Sequence, residues 1–291
     1  MVALSFRGEA YELAREVLWL LVEASRSDEY LRPIAGDGRH CHGYGYVAAL
    51  KRSGLWRIVH ERFDAEPSLA GEEACEANLE ALGEAVERLS RTVEAGVEEA
   101  ALIVHSRRTR GEPRGAAAAH PFREEVSVST GSGPEVAEIF LSHNGGVQKE
   151  ELAARLGVDN YKRYVDSQLY LKYLARRLDG VRHDEAPQAL AQILSESRPL
   201  VKSALNLCML LNSPSRGPML AAASYVAVKN DSTRWRYYEP VIIESRSLSG
   251  YVSSTIRDLL RGRRSGVRVA DGRDGFVAVL SPDGAQLVEI P

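Results

Sequence analysis

Short runs of consecutive apolar residues recur along this chain in groups, and that grouping constrains the fold more than any other feature. Val2 to Phe6 and Ala100 to His105 read as buried strands, and so does Val136 to Ser142. Tyr44 to Leu50 and Leu55 to Phe63 read as a pair around Arg52-Ser53-Gly54. In the last third, Ala204 to Leu211, Met219 to Lys229, Tyr237 to Glu244 and Phe276 to Leu280 alternate or run apolar, like strands. Helical periodicity marks the segments between. Leu13, Val17, Leu20 and Leu21 share a face of Glu9 to Ser25, and Leu79, Leu82, Val86 and Leu89 share one of Glu72 to Val97. Lys149 to Leu156, Asp166 to Leu178, Ala186 to Ser195 and Ser253 to Arg261 are the remaining predicted helices. Strands in consecutive groups predict an α+β chain with largely antiparallel sheets and helices layered outside. No repeat or Pro/Gly-rich linker divides it, so residues 1–291 are expected to form one domain.

Composition narrows the function classes. The chain is 44% hydrophobic and 26% charged, enough for a sizeable core. A net charge of −3 gives no global electrostatic case for nucleic acid or an anionic membrane. The cluster Arg107, Arg108 and Arg110 is local and lacks interleaved aromatics. No apolar run reaches the ~18–20 residues of a membrane span, and Arg7 and Glu9 interrupt any secretory signal. The expectation is a cytoplasmic protein. Cys41, Cys75 and Cys208, odd in number and widely spaced, argue against a disulfide framework. His40, Cys41 and His42 are adjacent and point in alternating directions, a poor start for zinc.

Four segments carry chemistry-bearing residues at strand ends or helix starts. They are His105-Ser106-Arg107, His120-Pro121-Phe122, Ser142-His143-Asn144-Gly145 and Asp166-Ser167-Gln168. Each has an ordinary reading. His105 suits a satisfied structural histidine, and Arg107 a solvated charge. Asn144-Gly145 is a common turn, and Asp166 a good N-cap.

In combination and order, the four resemble the class-II glutamine amidotransferases, a branch of the N-terminal-nucleophile hydrolases. That family shows His-x-Arg, His-Pro, His-Asn-Gly and Asp-Ser/Thr in the same succession. His42-Gly43-Tyr44-Gly45-Tyr46 is similar to its His/Asp-Gly-Trp-Gly segment, with Tyr for Trp. The resemblance covers roughly residues 1–178 and is closest to the stand-alone glutaminase branch; beyond that it rests on strand pattern alone. It implies a four-layer αββα sandwich. It also implies that Arg107 holds the α-carboxylate of glutamine, that Asp166 holds its α-ammonium, and that Asn144 and the Gly145 N–H form the oxyanion hole. His105, His120 and Gly43 would line or shape the pocket. No metal or organic cofactor is implied.

The family's nucleophile is an N-terminal cysteine whose thiolate forms a γ-glutamyl thioester and whose α-amino group acts as base. This sequence opens Met1-Val2-Ala3-Leu4. One expectation is that Met1 corresponds to an internal methionine about two residues after that cysteine. Cys41, between two histidines, is the internal alternative. Three readings stay open. The first is a glutamine amidohydrolase or amidotransferase passing ammonia to a separate subunit, and the second a hydrolase of another γ-glutamyl amide. The third is an inactive glutamine-binding or structural module.

Overall fold

The computed structural model describes residues 1–263, 266–271 and 274–291. In chain order the strands are β1 (Val2–Arg7), β2 (Tyr44–Arg52), β3 (Leu55–Phe63), β4 (Glu99–Ser106), β5 (Phe122–Thr130), β6 (Gly133–Val147), β7 (Val201–Ser213), β8 (Gly217–Ser224), β9 (Val241–Ser245), β10 (Leu248–Val252), β11 (Arg268–Asp271), β12 (Phe276–Ser281) and β13 (Gly284–Glu289). The helices are α1 (Tyr11–Arg26), α2 (Arg32–Ala35), α3 (Gly71–Glu94), α4 (Lys149–Leu156), α5 (Asp166–Leu178), α6 (Ala186–Ser197), α7 (Ser232–Tyr238) and α8 (Ser254–Arg261).

Among the described residues the strands form two sheets, ordered β11-β9-β10-β1-β4-β2-β3 and β13-β12-β8-β7-β6-β5. Every ladder in both is antiparallel. The alternation of side chains along each strand assigns one face to a partner sheet and the other to helices. Ala3, Val47, Ala101 and Ile103 of the first sheet meet Phe140, Leu210, Leu220 and Ala278 of the second in one apolar cluster. Leu4, Ala48, Leu102 and Ile243 on the opposite face pack with Leu21 of α1, Leu82 and Val86 of α3 and Ile256 of α8. Ile139, Leu141 and Leu207 of the second sheet pack with Leu152 of α4, Leu169 and Leu174 of α5 and Leu190 of α6. This arrangement is α+β, with two antiparallel sheets and helices, and is compatible with a layered sandwich.

Several elements differ from expectation. Residues 237–244 are not one strand: α7 ends at Tyr238 and β9 begins at Val241. Asp231 caps α7, its carboxylate accepting from the N–H groups of Thr233 and Arg234. β8 stops at Ser224, short of Lys229. β6 does not end at Ser142. It starts half exposed, with Val136 61% exposed, becomes buried on both faces, and carries His143-Asn144-Gly145 inside the ladder against β7. β5, β10, β11 and β13 were not anticipated.

Candidate functional site

Two neighbouring ladders bring the motifs together. Beyond the end of β4, the Arg107 N–H donates to the Gly43 carbonyl and the His42 N–H to the Arg107 carbonyl, both at 2.8 Å. These bonds prolong the β2–β4 pairing and hold Arg107 in a position where the residue is 3% exposed. Nη1 donates to the Pro113 carbonyl at 2.9 Å. Nη2 is buried with no hydrogen-bond partner among the described residues. Burial pulls the guanidinium down to about 10, with Asp166 and Glu112 opposing, so it stays cationic at neutral pH. A buried cationic N–H left without a partner is costly, and a bound anion would satisfy it.

On β6, Asn144 pairs with Asn206 and Gly145 with Leu205, and the register shifts between Gly145 and Val147. Gly145 has φ +152°, and a Cβ there would lie 1.9 Å from the Ala204 carbonyl oxygen. Only glycine fits. The Tyr237 hydroxyl donates to Asn144 Oδ1 at 3.3 Å, and among the described residues the amide NH₂ has no hydrogen-bond partner. Asp166 begins α5 but does not cap it. The N-cap is Val165, whose N–H donates to Gln168 Oε1 at 2.7 Å. Asp166 Oδ2 instead accepts from the Val147 N–H at 3.1 Å and Oδ1 from the Ser167 N–H at 2.7 Å. The carboxylate therefore bridges the end of β6 to the start of α5. His143 secures the same junction, its Nδ1 2.9 Å from Ser167 Oγ and its Nε2 3.0 Å from the Ala204 carbonyl. Burial lowers its pKa.

His105 and His120 stack edge-on, with ring centroids 4.4 Å apart. Burial holds both imidazoles neutral, far below the ordinary histidine value. Both ring nitrogens of His120 and Nδ1 of His105 are buried without partners among the described residues.

A cavity of about 290 Å³ collects these groups: His105, Arg107, His120, Asn144, Gly145 and Asp166 all line it. Met1, immediately ahead of β1, lines it as well, and burial pushes its α-amino group down to about 6. Gly43 does not line it. A Cβ at Gly43 would meet the Phe63 carbonyl oxygen at 2.8 Å, and one at Gly45 the His120 carbonyl oxygen at 2.3 Å. These glycines let backbones pack closely behind the site, where Gly43 braces Arg107 through its carbonyl.

Asp28, His40, Tyr237 and Lys202, which the motifs do not include, also line the cavity. His40 Nε2 lies 2.8 Å from Asp28 Oδ2. The Thr255 hydroxyl donates to Asp28 Oδ1 at 2.7 Å, and the N–H groups of Tyr30 and Leu31 reach the same oxygen. Burial opposes ionisation of Asp28, but bonding to His40, Thr255 and Leu31 outweighs it and lowers the pKa. A lone Asp and a lone His twelve residues apart in an irregular loop carry little signal in a sequence.

The cysteines correct an expectation. Cys41 and Cys75 form a disulfide, tying the loop after α2 to α3. Sequence spacing missed it because residues 34 apart meet only once α3 packs beside that loop. Cys41 is therefore not a free thiol. Cys208 is free but buried between the sheets, and burial pushes it up to about 12. Among the described residues, no group of three or more His, Cys, Asp or Glu is placed to hold a metal ion, and no helix is long and apolar enough to cross a membrane. No protein-family model matches the chain, and no curated protein matches it.

Proposed function

We propose that the cavity binds the γ-glutamyl head group of glutamine or a related amide, within an N-terminal-nucleophile-type sandwich fold. One observation carries the reading: the buried, partly unpartnered Arg107 guanidinium shares the cavity with the Asp166 carboxylate. A cation and an anion in one small enclosure suit the carboxylate and ammonium of an α-amino acid, since each ligand charge then finds an opposite partner. Asn144 NH₂ is free to donate to the oxygen of the γ-amide as that carbon becomes tetrahedral.

Hydrolysis needs a nucleophile. β1 brings residue 1 into the cavity, so a cysteine joined ahead of Met1 would enter the same space. Its thiolate would attack the carbonyl carbon of the γ-amide, the amine would leave, and water would cleave the thioester. Ammonia released from glutamine would pass to a separate acceptor subunit. Protein carrying such a cysteine is expected to release ammonia from glutamine, and Asn144→Ala to slow it by about 10²–10³-fold. No release from glutamine or from any γ-glutamyl amide would defeat the hydrolytic part.

A second reading is a binding module without catalysis. It is favoured by the absence of any cysteine among the described residues lining the cavity. Head-group binding without turnover by the cysteine-bearing form would select it.

A further inference from the structure

We infer that the Asp28–His40 pair is an acid–base unit for the leaving amine; this rests on the γ-glutamyl reading above. Four observations converge. His40 Nε2 is engaged by a carboxylate at 2.8 Å. The Asp28 side chain is 5% exposed and that of His40 15%, so the pair is shielded without being sealed. Thr255 on α8 and the N–H groups of Tyr30 and Leu31 fix the carboxylate, and the His40 N–H donates to the Ser25 carbonyl at 2.8 Å. Among the described residues Nδ1 makes no protein hydrogen bond, although the residue lines the cavity. A carboxylate on one ring nitrogen and a second nitrogen without a protein partner, on a residue that lines a cavity, is an arrangement that lets an imidazole exchange protons with a ligand.

Asp28, His40, Tyr237 and Ser25 line the cavity, and none of them is among the groups assigned to the α-carboxylate, α-ammonium or oxyanion. The His40 ring lies parallel to Tyr237, interplanar angle 11° and centroids 6.4 Å apart, and Tyr237 in turn bonds Asn144. The imidazole thus stands one ring away from the amide assigned to the reacting carbonyl. Nearby ionisable groups are His105, Arg108 and the Met1 α-amino group, all cavity-lining.

The proton inventory closes. The cysteine thiol gives its proton to the α-amino group, and its thiolate forms the C–S bond. As the C–N bond breaks, the leaving nitrogen takes a proton from the His40 imidazolium. In the second half, neutral His40 takes a proton from the water that attacks the thioester, and the departing thiolate recovers its own from the α-ammonium. His40 would be the catalytic residue, and Asp28 a positioning residue that fixes its ring.

Leaving-group dependence tests this. In the cysteine-bearing full-length protein, His40→Gln is expected to slow hydrolysis of a γ-glutamyl alkylamide, a poor leaving group, by about 10²-fold. It should slow γ-glutamyl-p-nitroanilide, a good leaving group, less than about 3-fold. Asp28→Asn should follow the same pattern with KM unchanged. A second measurement needs no turnover: in the chain beginning at Met1, γ-glutamyl anilide should shift the His40 ring signals in NMR, and glutamate should not. Equal slowing of both substrates, or no anilide-induced shift, would overturn the assignment. Failure of glutamate to bind would instead defeat the head-group reading on which it rests.

Discussion

The Tyr237 hydroxyl donates to Asn144 Oδ1 at 3.3 Å, so a residue on α7 decides which end of a β6 amide the cavity meets. Tyr237→Phe removes that bond and lets the amide turn. One neutral hydrogen bond is worth about 1 kcal/mol, so the cysteine-bearing form should lose about 5–10-fold in kcat. Glutamate affinity should stay within about 2-fold. Steady-state kinetics beside calorimetry separate the two effects; an unchanged kcat would remove Asn144 from the proposed oxyanion hole.

Gly145→Ala places a methyl 1.9 Å from the Ala204 carbonyl oxygen. Backbone on both strands must move, at an expected cost of about 2–3 kcal/mol. Urea denaturation should show the lower midpoint, and a wild-type midpoint would contradict the close β6–β7 approach.

Asp64 gives the fold an acid limit. Its side chain is fully buried, which opposes ionisation. The Arg114 guanidinium, the Gly115 N–H, the Asn78 amide and the Glu66 N–H all reach the carboxylate. They outweigh burial and hold the pKa at about 2. Because the folded value lies below the unfolded one, this stabilisation is present above roughly pH 4 and is lost as pH falls toward 2. With allowance for solvent screening it amounts to about 1–2 kcal/mol. Asp64→Asn should flatten that part of the stability–pH curve, and an unaltered slope would contradict the assignment.

The Cys41–Cys75 bridge closes a loop with a sequence separation of 34. Such a bridge adds about 2–4 kcal/mol, so reduction, or the double change Cys41→Ser and Cys75→Ser, should lower the denaturation midpoint accordingly. Unreduced, denatured protein should titrate one thiol, Cys208. Three thiols would show that the bridge does not form.

The strands easiest to read in the sequence were those buried on both faces, such as β4 and the middle of β7, where apolar residues run without interruption. β10 escaped because Ser249 and Gly250 interrupt its apolar pattern, yet Ser249 is buried with its hydroxyl donating to the Ser281 carbonyl. α7 escaped because its aromatic residues resemble a strand, although Asp231 before Ser232 was a legible cap. In the site, Arg107, Asn144, Gly145 and Asp166 stood out through motif order. Asp28 and His40 did not, because Thr255, which anchors them, lies 227 residues from Asp28. Gly43 was expected in the pocket because glycine permits close approach; the approach is real, but to protein backbone.

Head-group binding requires no nucleophile, so calorimetric titration of glutamate into the chain beginning at Met1 measures it alone. Saturable one-site binding is expected, weakened at least about 30-fold by Arg107→Ala and by Asp166→Ala. No binding of glutamate or glutamine, or equal affinity in both variants and the parent, would contradict it.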